Sequence, residues 1–467
     1  MPGGAIELLL FGQQDIYLKS NPSITFFKKV FKTFSNFAME SIRVDFNGNA
    51  DTNIYDQTIL KVKIPRHADL ISQMYLVFDI PEIISDNVLN FRWIPNIGEA
   101  IIDHCYITIG GSLVDTQYGE YLHLFNSLNY TADRRDALNR MTGNVVQLNN
   151  PEQFALNTNN LSNPPLRYRI GSAYPIYTAY DPNNPNTYIP SIPTRKIYVP
   201  LTFWFNKDVG NALPLVSLQY SEVEVTIVLR PWIQLYKVFY NIGGNQDFYA
   251  PNLYIQSHQL SKFVSNVKRN FLVSNTVIDC GCYLEINYIY LDKIERQYFA
   301  YKPLDYLIEQ VVRVQSKAIT ATTIVDMVLQ NPVKEIIWVL QKSDVNIRND
   351  WFNYLDKSRK IMLSAKIMFN GVDRFNEKES EYFNYLQPYQ HHTGNATDGL
   401  YVYSFSIEPE KFQPSGCCNM SRVNNIQFYM TCNVPSNNSY TYSATYYVVN
   451  YNFLRISSGL SGVVYST

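Results

Sequence analysis

The two halves of this chain repeat one pattern of strands and turns, and no other feature restricts the fold as much. Tyr75-Leu76-Val77-Phe78 is matched by Ile336-Ile337-Trp338-Val339, 261 positions on. The strand and tight turn Ile107-Thr108-Ile109-Gly110-Gly111, with Asp115 after it, returns as Lys366-Ile367-Met368-Phe369-Asn370-Gly371, with Asp373 after it. Gly111 and Gly371 are 260 apart, and Glu120-Tyr121-Leu122 returns as Glu381-Tyr382-Phe383 at 261. Further on the offset falls: Leu201-Thr202-Phe203 pairs best with Val402-Tyr403-Ser404 at 201, and Pro214 with Pro414 at 200. One β-domain used twice, with an insertion in a loop of the first copy, accounts for all of these offsets.

At 467 residues the chain exceeds one ordinary domain, and two of about 200 residues each are the natural division. Apolar residues make up 46%, enough for two cores. The 37 Tyr and 26 Phe lift the aromatic share to 15%, which favours strands, where flat rings pack on a pleated surface. Alternation with period two recurs along the chain, as in Leu60-Val62-Ile64, Val223-Val225-Ile227-Leu229, Leu284-Ile286-Tyr288-Tyr290, Tyr401-Tyr403-Phe405-Ile407 and Ile426-Phe428-Met430-Cys432. Each stripe reads as a strand with one face in a core, and their spacing between Gly, Pro and Asn turns predicts two-sheet sandwiches. The division that follows is an N-terminal arm over 1–28, a first sandwich over 29–232, a junction segment over 233–276 and a second sandwich over 277–467. Residues 142–197 read as a long loop at the place of the insertion, dense in Asn and Pro and poor in periodicity. Helical signals are few and short, with Thr131 to Met141 the plainest surface helix.

Lys and Arg number 39 against 40 Asp and Glu, so no overall basic field exists for phosphates and direct nucleic-acid binding is not expected. Charged residues are only 17%, below the usual ~25%, and Asn, Ser, Thr and Tyr supply the polarity that suits long loops and large contact surfaces. No basic region followed by an apolar core opens the chain, so cytosolic synthesis with reduced thiols is the expectation. The six cysteines are sparse for a disulfide scaffold, and neither Cys280-Gly281-Cys282 nor Cys417-Cys418 has zinc-site spacing, so no metal is expected. Phosphate-loop, dinucleotide and zinc-protease motifs are absent, and no cofactor is expected. Asp103 and His104 lie in a strand-like run, where neighbours point to opposite faces. The pair His391-His392 reads as a solvated or hydrogen-bonded loop, and Glu379 with Glu381 as two acids on one strand face, too unspecific to carry catalysis. Phe27, Val30, Phe31 and Phe34 stand at i, i+3, i+4 and i+7 with Lys28, Lys29 and Lys32 between them. This is a short basic amphipathic segment, read either as a helix under the first sandwich or as an arm that meets a neighbour or a membrane surface.

Ordered blocks along the whole chain carry a resemblance to a known family. They begin with Gly12-Gln13-Gln14-Asp15-Ile16-Tyr17-Leu18, Asn21-Pro22 and Phe37-Ala38-Met39-Glu40. They continue through Trp93-Ile94-Pro95-Asn96-Ile97-Gly98, Pro200-Leu201-Thr202-Phe203-Trp204-Phe205, Ala212-Leu213-Pro214-Leu215 and Leu218-Gln219-Tyr220. In the second half come Tyr290-Leu291-Asp292, Pro414-Ser415-Gly416, Asn419-Met420-Ser421-Arg422 and Asn450-Tyr451-Asn452. With these the chain resembles the major capsid proteins of nucleocytoplasmic large DNA viruses. The resemblance implies an all-β fold of two tandem eight-stranded jelly rolls with few short helices, a double jelly roll. It further implies a homotrimeric, pseudo-hexameric capsomer that tiles an icosahedral shell, with no enzymatic activity. The implied partners are the chain itself, trimer–trimer arrays, minor capsid proteins and an inner viral membrane. The implied location is the virion capsid, after synthesis in the host cytoplasm and assembly in viral factories. The long loop 142–197 and the stretch 387–398 are then expected on the exterior, and the arm with Phe27 to Phe34 on the interior. Trp204, Phe205, Pro214 and Tyr220 are expected in the core or along the trimer seam, settings that both favour aromatic residues. A minor or vertex capsid or scaffold protein of the same fold, and a carbohydrate-binding β-sandwich, are the alternatives.

Overall fold

The strands that carry the period-two stripes form two sandwiches with the same connectivity. The computed structural model describes residues 3–48, 50–85, 88–152, 174–175, 189–240, 248–264 and 276–465. Its main strands are β1 (Phe37–Asp45), β2 (Thr58–Lys63), β3 (Leu70–Ile80), β4 (Ile102–Ile109), β5 (Ser112–Tyr118), β6 (Arg195–Pro200), β7 (Val223–Leu229) and β8 (Tyr283–Leu291). They recur as β9 (Leu304–Ile319), β10 (Thr323–Met327), β11 (Pro332–Lys342), β12 (Met362–Phe369), β13 (Val372–Asp373), β14 (Leu400–Ser404), β15 (Ile426–Cys432) and β16 (Tyr442–Ser457). In the first sandwich the sheets run β1-β8-β3-β6 and β2-β7-β4-β5; in the second, β9-β16-β11-β14 and β10-β15-β12-β13. Both are jelly rolls, and the shared order is the duplication that the sequence announced.

The ladders correct the sequence alignment by small steps. Phe78 and Trp338, 260 apart rather than 261, both point into their cores, where Phe78 faces Ile197 across the ladder and Trp338 faces Tyr401. A one-residue slip would turn every side chain to the wrong face, so the register settles the equivalence. By the same ladders Ile197 corresponds to Tyr401, and Leu201 is not the counterpart of Val402. The short strands Leu213–Pro214 and Cys418–Asn419 occupy matching sites beside β3 and β11, so Pro414 is not the counterpart of Pro214.

The expected boundary at 277 also moves. Val277–Ile278 pairs with Thr52–Asn53, and β8 is hydrogen-bonded between β1 and β3, so residues up to Leu291 complete the first jelly roll. The expected junction is therefore an excursion of the first sandwich, with Tyr236–Tyr240 paired to Leu89–Trp93; residues 241–247 and 265–275 lie outside the described residues. Of the expected loop 142–197, residues 153–173 and 176–188 lie outside the described residues. The rest contains a short helix, Val146–Asn149, and the start of β6. Tyr174 is buried in the first sandwich, its hydroxyl donating to the Phe91 carbonyl at 2.5 Å.

Residues 1–37 form a separate unit with helices Gly3–Leu9 and Asp15–Lys19. The expected helix through Phe27, Val30, Phe31 and Phe34 is not formed: these residues and Lys28, Lys29 and Lys32 are irregular and exposed. An isolated helix this short is unstable in water unless its apolar face is buried, and here none of the four side chains is covered.

The cores are aromatic. Trp338 stands at the centre of the second, with Phe428 at 4.9 Å, Phe383 at 5.2 Å and Tyr401 at 5.8 Å between ring centroids. Trp93 and Trp232 meet at 5.7 Å in the first. Deleting a fully buried Trp removes both its transfer energy and its ring contacts, so Trp338→Ala is expected to cost about 3–5 kcal/mol. Denaturant unfolding would measure this; a loss under about 1 kcal/mol would mean that the core does not depend on this ring.

Candidate functional site

The feature with the most concentrated chemistry is the seam where the two jelly rolls meet within the chain. Its apolar part comes from helix Gly119–Asn129, which follows the turn strand β5. Leu122 on this helix points into the first core, while Tyr121, Leu124 and Leu128 lie against Val311, Ile337, Val339, Val402, Tyr447 and Val449 of the second sandwich. The helix thus has two apolar faces, one for each sandwich. The Tyr447 hydroxyl caps the contact by donating to Glu120 at 2.7 Å.

Its polar part is a buried set of charges. Lys207, at the end of the short helix Trp204–Lys207, lies 2.7 Å from Glu309 on β9. Glu309 also pairs with Lys334 on β11, whose ammonium donates to the Pro409 carbonyl at 2.8 Å. Next to Lys334, Glu335 lies 3.3 Å from His392, and the other ring nitrogen of His392 lies 3.4 Å from Glu410 and 3.1 Å from the Asn129 side-chain oxygen. With His392 protonated, three cations face three carboxylates. Burial opposes charge on Glu309, Lys334, Glu335 and His392, but the partners prevail. Lys207 and Lys334 hold Glu309 down at about 2 despite its burial. Burial disfavours the His392 cation, yet hydrogen bonds and charges from Glu335 and Glu410 push it up to about 9.

β-bulges aim these groups. Val333 pairs with Asn450 and Glu335 with Val449, so Lys334 is the extra residue on β11, and two consecutive side chains reach one cluster. On β5, Val114 is the extra residue between Leu113 and Asp115. Its carbonyl accepts from Gln310 while the Asp115 carboxylate accepts from the Val311 amide at 3.2 Å, and both partners belong to β9. Burial raises Asp115 to about 6 against these donors. Gln310 in turn accepts from Asn452 at 2.8 Å, and Gln117 is held by Thr202 at 2.7 Å. On β4, Asp103 is the extra residue between Ile102 and His104. The expectation that Asp103 and His104 point apart therefore fails, and they hydrogen-bond at 2.9 Å. Arg230 lies 3.4 Å from Asp103 and stacks 4.1 Å over Trp351 of the second half.

The residues singled out in the sequence are dispersed. Trp204, Phe205 and Pro214 are buried in the first sandwich, so they are core residues, and Trp204 and Phe205 anchor the helix that ends in Lys207. Tyr220 is 76% exposed, and its amide donates to the Gly459 carbonyl at 3.0 Å. Gly459 has φ +81° and a Cβ there would sit 2.5 Å from the Tyr220 ring, so this link between the sandwiches requires glycine. Of the two readings of His391-His392, the hydrogen-bonded one fits: His391 bonds the Ile407 carbonyl at 2.9 Å and the His392 side chain is buried and ion-paired rather than solvated, while the stretch 387–398 begins as helix Gln387–His391. Its Gly394 amide donates to Leu128 of the first sandwich at 2.6 Å. Glu381 opens that helical stretch and pairs with Lys360 at 3.2 Å, so it does not share a strand face with Glu379. Cys280 and Cys282 are buried with their sulfurs 3.2 Å apart, and among the described residues no cluster of ligating side chains is arranged to hold a metal ion. Lys207, Glu309, Lys334, Glu335 and Glu410 carried no sequence signal, because each is ordinary until the sandwiches meet.

Two jelly rolls fixed side by side in one chain are the architecture of a shell protein. The model for the N-terminus of major capsid proteins matches residues 25–292, and that for the major capsid protein of large eukaryotic DNA viruses matches 295–462. The major capsid protein of Pyramimonas orientalis virus is 31% identical over 493 residues, and that of Phaeocystis pouchetii virus 29% over 565, each alignment covering 100% of both chains. Among solved structures, a chain of the PBCV-1 virus capsid superimposes with a TM-score of 0.69 at 24% identity, covering 95% of this chain and 100% of that one. The Faustovirus major capsid protein gives 0.65 at 13%, covering 96% and 94%. The chain belongs to the major capsid proteins of large eukaryotic DNA viruses and is a structural component of the capsid.

The raised His392 makes a pH prediction. Because its folded value of about 9 lies above the ordinary ~6.5, its contribution is complete below about pH 6.5 and is lost as pH rises through 9. A shift of this size corresponds to roughly 3 kcal/mol. Unfolding free energy of the wild type is expected to fall between pH 6 and 10, and H392Q to remove most of that slope; identical slopes in the two proteins would show that His392 is not the titrating group.

Proposed function

We propose that three copies of this capsid protein form a homotrimer with a pseudo-hexagonal outline, and that such trimers tile the faces of an icosahedral shell. The observation that carries this reading is the pair of jelly rolls with identical strand order held in one setting by the seam. A threefold ring of such chains offers six similar edges, and six similar edges pack as a hexagonal array. The trimer contacts bury several thousand Å², on the order expected for an obligate assembly, and contacts between trimers are smaller and more polar. The protein acts by assembly rather than catalysis. It is made in the host cytoplasm and assembled in viral factories. The basic aromatic arm, with Phe27, Val30, Phe31 and Phe34 exposed among Lys28, Lys29 and Lys32, contacts minor capsid proteins or an inner viral membrane.

Mass photometry of the purified chain is expected to give a trimer; a monomer persisting at micromolar concentration would reject the assembly reading. Deleting residues 1–34, which lie within the separate N-terminal unit, is expected to leave the melting temperature within a few degrees and to impair shell formation. Normal particles from that variant would remove the arm from the assembly pathway.

A further inference from the structure

Beside the first turn of helix Gly119–Asn129 the two sandwiches part, and a cleft of about 590 Å³ opens between them. That size lies within the roughly 300–1,000 Å³ of small-molecule sites. One wall is the sheet face of the second sandwich that the helix covers elsewhere. Under the helix this face is apolar, with Ile337, Val339 and Tyr447. In the cleft the same sheet carries Arg313 beside Tyr447, Gln315 beside Thr445 and Gln341 beside Ser443. Arg313, Gln315 and Lys317 are exposed at alternate positions of β9, and Lys342 at the end of β11 joins them. The opposite wall, from the first sandwich, holds Arg230, nearly buried and donating to the Ala100 carbonyl at 2.6 Å.

Four cations thus line the cleft against two carboxylates, Asp103 and Glu120. Both carboxylates are engaged. Asp103 bonds His104 at 2.9 Å and lies 3.4 Å from Arg230, and Glu120 accepts from Tyr447 at 2.7 Å. Among the described residues Arg313, Lys317 and Lys342 make no ion pair. Arg313 rests on the Tyr118 ring at 3.9 Å instead.

The duplication shows which group is missing. Tyr283 faces Val77 as Tyr447 faces Ile337, so the two tyrosines are counterparts. Arg43 lies 4.2 Å over Tyr283 and is neutralised at 2.7 Å by Asp45, two positions on. Arg313 is paired with Tyr447 across the ladder, and two positions after it stands Gln315. The second sandwich keeps the guanidinium and replaces the acid by a neutral amide. Cations left facing one another in a partly enclosed cleft repel, and an anion placed among them removes the repulsion. Guanidinium forks match tetrahedral oxyanions, and the amides and hydroxyls beside them supply further donors.

We propose that this cleft binds a compact polyanion, a small molecule bearing two or more phosphate or sulfate groups, with Arg313, Lys317 and Lys342 of one sandwich and Arg230 of the other as its cations. The cleft lies within a single chain, so the site does not depend on how chains associate. Because its cations come from both sandwiches, the bound anion ties them together and stabilises the docked arrangement.

The test is calorimetric titration of the full-length protein at low salt with two probes. Sodium tripolyphosphate stands for a phosphate-rich metabolite, and a trisulfated heparin disaccharide for a sulfated surface sugar. At least one probe is expected to saturate at one per chain and to raise the melting temperature; the tighter of the two identifies the source. Saturation by neither would overturn the site. Arg313→Gln with Lys317→Gln is expected to weaken binding roughly tenfold or more. Gln315→Asp, which restores the acid carried by the first sandwich, is expected to do the same. Lys28→Gln with Lys29→Gln, exposed cations outside the cleft, is expected to leave binding unchanged. Equal weakening by that control, or none by the cleft variants, would show attraction by diffuse charge and overturn the site. Should the Arg313/Lys317 variant melt early without ligand, Gln315→Asp and Lys342→Gln are read in its place, with the same two outcomes.

Discussion

The setting of one sandwich against the other depends on the buried charges between them. Lys207 and Glu309 come from different halves, as do Asn129 and His392, so none of these contacts exists in an isolated jelly roll. Buried ion pairs add little net stability, because desolvation offsets most of their attraction, but leaving one partner unpaired is costly. Any sliding of the two halves would separate at least one cation from its carboxylate. The charges therefore select one arrangement, while the apolar cover over Ile337 and Val449 supplies the attraction.

Bulges make that arrangement possible. A regular strand sends consecutive side chains to opposite faces, which would place Lys334 and Glu335 on different sides of their sheet. The extra residue at Lys334 sends both to the seam, and the extra residue at Val114 turns a carbonyl and a carboxylate together toward β9. The bulge at Val114 turns its carbonyl across the seam to Gln310, while the carbonyl at the Lys334 bulge accepts from the Phe405 amide of its own sandwich at 2.9 Å. The duplicated fold is thus altered where the copies touch, at Asp103, Val114 and Lys334.

The duplicated surfaces have also diverged in polarity. Where a face is covered from the moment the chain folds, it carries Leu124, Leu128 and Val402; at the matching positions, which are partly or largely exposed, it carries Tyr385, Tyr389 and Tyr198. A covered face never meets water in the folded chain, so aliphatic residues cost nothing in solubility there. An open face of the same size would aggregate if it were equally apolar.

The sequence by itself determined that one β-fold is used twice, because period-two stripes and Gly-Gly or Asn-Gly turns are local signals that survive in both copies. It also determined the family, through blocks such as Pro200 to Phe205 that run the length of the chain. It misread Tyr283–Leu291 as the opening of the second half, since a stripe records which residues face a core but not whose core it is. Of its two readings of Phe27 to Phe34, a packed helix or an arm, the helix rested on spacing alone, and spacing cannot supply the surface such a face needs. The tertiary structure alone decided the seam: Lys207, Lys334 and His392 have no common pattern along the chain, and their charges acquire meaning only when two separately encoded surfaces exclude water between them.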